Sequence, residues 1–417
     1  MIGESVRHCL LCGTGDLEPV LNLGIQAFTG IFPASVEDEV PAGPLELVRC
    51  LGECGLTQLS RIYPNQLLYG ENYGYRSGLN ASMVRHLHAI AGKASDRVTL
   101  LPGDTVLDIG SNDGTLLGMY PRGLHLVGID PTARQFAQYY RDDIERIPEF
   151  FAARLLGGRQ AKIVTSVAML YDLADPVWFA HEIARVLAPD GVWITEQSYL
   201  PTMLKRTAYD TVCHEHLEYY GLRQIQYIAQ RTGFVILDVE FNDTNGGSFI
   251  VVLGRCGESS DAVRSTLAAE SSIDSGVYRD FECAVEARRS ELREWLRMRR
   301  VCGELVGGYG ASTKGNVLLQ YCGVTPTDLP WIAEVNERKY GHVTPGTGIP
   351  IISEEEAKRL SPDYLLVLPW HFRDHIIQKE SSYLLSGGAL VFPLPSLDVV
   401  QRTEQRRSIE VMTQEDR

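Results

Sequence analysis

DTVLDIGSNDGTLL, residues 104–117, is an apolar strand running into a turn of Gly, Asn and Asp, then a helix start. Asp108 ends the strand, while Gly110 and Gly114 let the backbone bend close to a ligand. LHLVGIDPTARQFA (124–137) supplies a second strand ending in Asp130, where an acid can accept both hydroxyls of a ribose. A third strand, KIVTSVAML (162–170), is followed by the helix PVWFAHEIARVLAPDG (176–191) and a fourth strand, VWITEQ (192–197). Alternation of this kind implies an α/β fold with a parallel, doubly wound sheet. The turn lacks the G-x-G-x-x-G of a dinucleotide site, and Asp108 and Asp113 stand where a pyrophosphate would be repelled. An adenosine carrying a cationic sulfonium suits that turn better.

The rest of the chain bounds this reading. A length of 417 residues exceeds what one core usually supports, so two or three domains are expected. A net charge of −14 argues against nucleic acid or an anionic membrane as partner. No leader or bilayer-spanning apolar run is evident, so a cytoplasmic protein is expected. Nine cysteines make a poor disulfide framework. CLLC and CLGEC instead place two thiolate pairs, Cys9 with Cys12 and Cys50 with Cys54, on two turns that can meet around zinc. Four thiolates leave no open coordination position, which makes the metal structural; His8 is the substitute ligand should the wider pair fail to close.

Between this module and the strands lies YGENYGYRSGLNASMVRHLHAI (69–90), whose second half predicts an amphipathic helix through Leu79, Met83, Leu87 and Ile90. Tyr69, Tyr73 and Tyr75 in its first half either pack or line a pocket mouth. After the fourth strand comes DTVCHEHLEYY (210–220), crowded with proton-handling groups. His214 and His216 lack the i, i+4 spacing of helical zinc sites, which leaves acid–base chemistry or a solvated loop as the stronger readings. FNDTNGGSFIVVL (241–253) is a turn ahead of a strand, and a long mixed-charge helix is expected over 259–300. LVGGYGASTKGNVLLQYCG (305–323) then starts a second strand–turn–helix unit, in which Lys314 adds positive charge to a helix N-terminus. WIAEVNERKYG, YLLVLPW and GALVFPLP complete that unit.

Residues 104–117 resemble motif I of class I S-adenosylmethionine-dependent methyltransferases. The order of parts along nearly the whole chain resembles the sugar C-methyltransferases that act on nucleotide-linked 4-keto deoxysugars. The resemblance implies a zinc-binding module over 1–66, a Rossmann-like methyltransferase domain over 67–258, and a linker helix with a second Rossmann-like domain over 259–417. It assigns the cofactor to Asp108, Gly110, Asn112, Gly114, Asp130, Pro131 and Tyr73. It puts the base at His216, with Glu215 beside the sugar and His214 as runner-up. A histidine suits the task, because a C–H beside a ketone yields to a base whose pKa lies near working pH.

Two positions depart from the family pattern. Cys213 stands where a tyrosine faces the ketone, so enolate stabilisation would pass to Tyr219, Tyr220, Tyr75 or water. Asp172 replaces a family histidine. The resemblance carries over Asn245 and Gly246 as a ligand-facing turn, Ser312, Lys314 and Asn316 as diphosphate contacts, and Tyr219, Trp370 and His371 as substrate contacts. The expected reaction is methylation at C3 of a dTDP- or GDP-linked 4-keto-deoxyhexose by a monomer holding S-adenosylmethionine and structural zinc. The alternatives are an O- or N-methyltransferase, or a nucleotide-sugar-binding protein without turnover.

Overall fold

The computed structural model describes residues 2–68 and 76–401. The expected contributions of Tyr69, Tyr73 and Tyr75 lie outside the described residues. The N-terminal module is built on β1 (Leu17–Ala27), β2 (Ala42–Cys50) and β3 (Thr57–Leu59), paired antiparallel.

The central domain runs through α1 (Ala81–Ser95), β4 (Thr105–Ile109), β5 (His125–Ile129), β6 (Ile144–Ile147) and β7 (Ala161–Val167). It continues with α2 (Pro176–Val186), β8 (Leu187–Ser198), α3 (Leu200–Lys205), β9 (Glu218–Tyr219), α4 (Leu222–Thr232), β10 (Val235–Asn242) and β11 (Ser248–Gly254). Its sheet has the order β10-β11-β8-β7-β4-β5-β6, with β11 antiparallel to both neighbours and the remaining pairs parallel. β4 is buried at every position, as a parallel strand covered on both faces must be. The ends of β4 and β5 therefore open on one edge of the sheet, where ligands of such folds sit.

Three expectations are corrected by the fold. The helix read after DIGSNDG is absent; a single 3₁₀ turn, Leu117–Met119, takes its place because Gly118, Pro121 and Gly123 interrupt the segment. Leu79 lies outside α1 and is 61% exposed, since Asn80 caps the helix by accepting from the Ser82 N–H. The helix expected over 259–300 is two helices, α5 (Asp261–Glu270) and α6 (Ser275–Val301). They part at 271–274, where Asp274 accepts the N–H groups of Gly276 and Val277 and starts the second.

The last domain comprises β12 (Val306–Tyr309), α7 (Thr313–Cys322), β13 (Ile332–Glu334), β14 (Ile351–Ser353), β15 (Tyr364–Val367), β16 (Ala389–Phe392) and β17 (Asp398–Gln401). Its sheet order is β14-β13-β12-β15-β16-β17, parallel except for β17. No helix among the described residues is long and apolar enough to cross a membrane.

The three parts share cores rather than meeting as separate bodies. β9, from the segment after the fourth strand, is the fourth strand of the N-terminal sheet, pairing antiparallel with β3. One core joins Phe28 and Leu45 of the module to Met203 and Tyr209 and on to Leu318 and Leu366 of the last domain. Residues 27–33 dock on the last domain through backbone groups. Gln320 brackets Ala27 with bonds of 2.7 and 3.1 Å, Asn316 donates to the Thr29 carbonyl at 2.8 Å, and the Val343 N–H donates to the Pro33 carbonyl at 2.9 Å.

Candidate active site

The four N-terminal sulfurs converge. Cys9 and Cys54 lie 3.4 Å apart, Cys12 and Cys50 3.5 Å, Cys50 and Cys54 3.6 Å, and all four fall within 4.8 Å of one another. A tetrahedral zinc with Zn–S bonds of about 2.3 Å separates its sulfurs by about 3.8 Å, so a small outward relaxation admits the ion. Backbone N–H groups of Gly52 and Leu56 already point at the Cys50 and Cys54 sulfurs. The wider cysteine pair closes, and His8 is not part of the cluster.

A cavity of about 1720 Å³ runs from the ends of β4 and β5 to the start of α7. A single small-molecule pocket spans roughly 300–1,000 Å³, so this one has room for two ligands. One wall carries Asp108, Gly110, Asn112, Asp130 and Pro131. Asp130 is held rigidly: one carboxylate oxygen accepts the Asn112 N–H at 2.9 Å, and the other accepts the Thr132 N–H and hydroxyl at 2.6 Å. Asp108 accepts from the Thr165 hydroxyl at 2.6 Å. Burial, reinforced by the Asp130 charge, raises its pKa to about 7 against that hydrogen bond. A cation placed beside these two acids would relieve both penalties, which is what the sulfonium and ammonium of S-adenosylmethionine offer. Gly110 (φ +76°) approaches Met169 so closely that a Cβ would sit 3.1 Å from its Cγ.

The opposite wall carries Ser312, Lys314 and His371, with Asn245 on the turn before β11. Ser312 caps α7 by accepting the Gly315 N–H at 3.0 Å. Cys213, Glu215 and His216 line the same cavity. The His216 Nδ1 lies 3.0 Å from the Thr211 carbonyl, which can only accept. Nδ1 therefore carries the proton and Nε2 the lone pair. The ring packs on Tyr171 with centroids 4.4 Å apart. Burial, with the Lys314 charge adding, lowers the His216 pKa to about 4, so the imidazole is neutral near pH 7. Burial raises the Glu215 carboxyl above the usual range.

Comparison with known proteins decides the family. Residues 9–69 match a zinc binding domain, 75–239 a methyltransferase domain, and 243–395 the C-methyltransferase C-terminal domain. The C-methyltransferase NovU of Streptomyces niveus is 32% identical over 425 residues, covering 96% of this chain and 98% of its own. The chain belongs to the C-methyltransferases. It is an S-adenosylmethionine-dependent, zinc-binding enzyme. Likeness to solved structures is lower. A chain of the complex between the Haloferax volcanii Trm112 activator and a methyltransferase is 18% identical, with a TM-score of 0.35 over 42% of this chain and 91% of that one. The PH0226 protein of Pyrococcus horikoshii OT3 is 16% identical, with a TM-score of 0.36 over 43% and 94%.

In this C-methyltransferase several expected contacts serve the fold instead. His214, the runner-up base, is fully buried away from the cavity, its ring between Phe28 and Tyr63 and its Nε2 3.2 Å from the Gly43 carbonyl. Tyr219 is 4% exposed in the core shared with the module. Tyr220 donates to Glu218. Gly114 turns the chain (φ +75°) against Tyr140, whose ring a Cβ would strike at 2.8 Å. Asn316 is spent on the Thr29 carbonyl. Trp370 donates to Asp210 at 2.7 Å and packs on Gly246, so neither faces the cavity.

Other lining residues were not anticipated. Glu196, at the end of β8, meets His86 at 2.6 Å and accepts from Asn242 at 2.7 Å. Glu334, at the end of β13, pairs with Lys339, beside Arg338 and His342. Acids at strand ends were the available signal, applied to β4 and β5 but not to β8 and β13.

Proposed function

We propose that the enzyme methylates C3 of a nucleotide-linked 4-keto-deoxyhexose, dTDP-linked by preference, with His216 as the base. The observation that supports this most is one cavity lined by Asp108 and Asp130, by Lys314, and by a histidine whose hydrogen bond leaves Nε2 unprotonated. The resemblance to the sugar C-methyltransferases supplies the sugar. When bound, S-adenosylmethionine supplies an electrophilic methyl group. Asp108 and Asp130 position it, His216 takes a proton from the carbon beside the ketone, and Ser312 at the start of α7 faces the anionic end of the substrate. Asp172 and Glu215 stand nearby, both lining the cavity.

Hydrogen exchange tests the reading. In deuterated water without cofactor, the enzyme should exchange the C3 hydrogen of a dTDP-4-keto-6-deoxyhexose. His216→Asn should slow that exchange about 10²–10⁴-fold while leaving cofactor affinity within twofold. Methyl found on oxygen or nitrogen, with no exchange by the wild type, would replace this reading with the O- or N-transfer alternative. The low pKa of His216 adds a pH prediction. The base works unprotonated, so kcat/KM for exchange should persist as pH falls below 6.5 and be lost only on approaching about 4.

A further inference from the structure

We infer that Lys314 is the group that holds the carbonyl oxygen as it becomes an enolate, the task for which Cys213 is unsuited. This rests on the C3 methylation proposed for the enzyme.

Lys314 is the second residue of α7 and lines the cavity together with Cys213, His216 and Asn245. Its Nζ donates to the Asn245 carbonyl at 2.5 Å, which ties α7 to the turn before β11 in the other domain. An ammonium has three N–H groups, so this anchor leaves two for a ligand. Asp210 stands behind it. Its Oδ2 accepts the Trp370 indole N–H at 2.7 Å. Burial pulls the Lys314 ammonium below the ordinary lysine pKa, and the attraction of Asp210 offsets that only in part. The next residue, Thr211, is the one whose carbonyl fixes His216. One short turn, Tyr209–Thr211, therefore sets the cation and the base beside each other.

Tyr75 lies outside the described residues, and the competing donors among the described residues have other surroundings. The Cys213 thiol is pushed far above its usual pKa, by burial first and then by the neighbouring Glu215, so it shares a proton weakly with an enolate. Tyr219 is 4% exposed in the core shared with the module, and Tyr220 donates to Glu218. Among the other cations on the cavity wall, Arg76 faces Asp113 at 3.7 Å, and Lys339 donates to the Ala311 carbonyl beside Glu334.

Electrons and protons balance in this scheme. The C3–H pair becomes the C3–C4 π bond, the carbonyl π pair moves onto oxygen, and the proton goes to His216 Nε2. The negative oxygen then sits against Lys314. Before the reaction the Lys314 charge opposes protonation of His216. As the proton moves, the ammonium gains a hydrogen-bonded anion nearer than the imidazolium it repels, and attraction falls off with distance, so the net effect favours the products of proton transfer.

The test measures C3 hydrogen exchange into deuterated water by NMR, without cofactor, over a range of dTDP-4-keto-6-deoxyhexose concentrations. Lys314→Met should lower the saturated exchange rate about 10²–10³-fold and shift half-saturation less than threefold. Added ethylammonium should restore part of the rate in Lys314→Ala. A raised half-saturation with an unchanged saturated rate would overturn the proposal and make Lys314 a diphosphate contact. Absence of rescue by ethylammonium would also overturn it. If Lys314→Met loses its melting transition, Lys314→Arg decides: exchange above about a tenth of wild type supports the role, and less overturns it. Wild-type enzyme with no exchange at all would sink the proposed function itself, a separate outcome.

Discussion

Two stretches of this enzyme read alike, a strand entering a glycine turn at 105–114 and another at 306–315, and they face each other across one cavity. Both turns use a glycine in the left-handed region to bring backbone close: Gly110 at φ +76° against Met169, and Gly310 at φ +81° against Pro369. They differ in the structure that each turn opens. The first leads only to a 3₁₀ turn and carries Asp108 with Asp113, while β5 adds Asp130. The second opens a ten-residue α-helix, capped by Ser312 and bearing Lys314. A helix of that length presents partial positive charge and unpaired N–H groups at its start; the first turn has none of this to offer. A glycine turn thus grants close approach to either kind of ligand, and the adjoining helix and charges choose the sign.

The comparison predicts that the walls can be disabled separately, and zinc gives the largest effect. β9 belongs to the sheet of the zinc module, and the Leu59 N–H donates to the Leu217 carbonyl, one residue past His216, at 2.8 Å. The acidic wall grows from β4 and β5 of the central sheet, whose Leu107 and Ile129 share a core with Cys9 and Cys54 but pair with no strand of the module's sheet. Structural zinc contributes about 10–16 kcal/mol in small modules. Replacing Cys9 and Cys12 by serine should abolish the roughly one equivalent of zinc found by metal analysis and remove exchange and methylation. S-adenosylmethionine should still bind by calorimetry. Simultaneous loss of cofactor binding would show that the walls share their support.

Asp130→Asn acts on the other wall and costs less. The carboxylate uses both oxygens on backbone donors, and an amide keeps only one acceptor. A hydrogen bond to a charged group is worth about 1.5–3 kcal/mol, so cofactor affinity should fall roughly 10–100-fold. Affinity for the dTDP-sugar should stay unchanged in the same titration.

Much of this contrast was legible beforehand, because it rests on local chemistry: cysteine pairs, apolar strands, acids at strand ends, a serine before a helix. What was not legible depends on partners remote in the chain. His214 and His216 differ by two residues, yet one is core and the other lines the cavity. His214 packs on Phe28 and Tyr63 of the module, far off in sequence, while His216 bonds the Thr211 carbonyl and packs on Tyr171. The family resemblance carried Trp370 and Asn316 over as ligand contacts. Their actual partners, Asp210 and the Thr29 carbonyl, lie 160 and 287 residues away. The helix missing after β4 failed for a different reason: the pattern suggested one, but Gly118, Pro121 and Gly123 leave no uninterrupted length for it.

The smallest expected effect probes the helix start itself. The Ser312 hydroxyl accepts the Gly315 N–H, and Gly315 packs so tightly that a Cβ would lie 2.7 Å from the Leu368 Cβ. Ser312→Ala should leave α7 in place and remove its cap, at a cost of about 1 kcal/mol. The N–H groups at the helix start would then be less firmly oriented, so affinity for dTDP should fall about fivefold, the equivalent of that energy. Cofactor affinity should not move, because among the described residues the Ser312 hydroxyl bonds only the Gly315 N–H of its own helix. If Ser312→Ala instead weakened S-adenosylmethionine and spared dTDP, the assignment of anion to α7 and cation to β4 would be reversed.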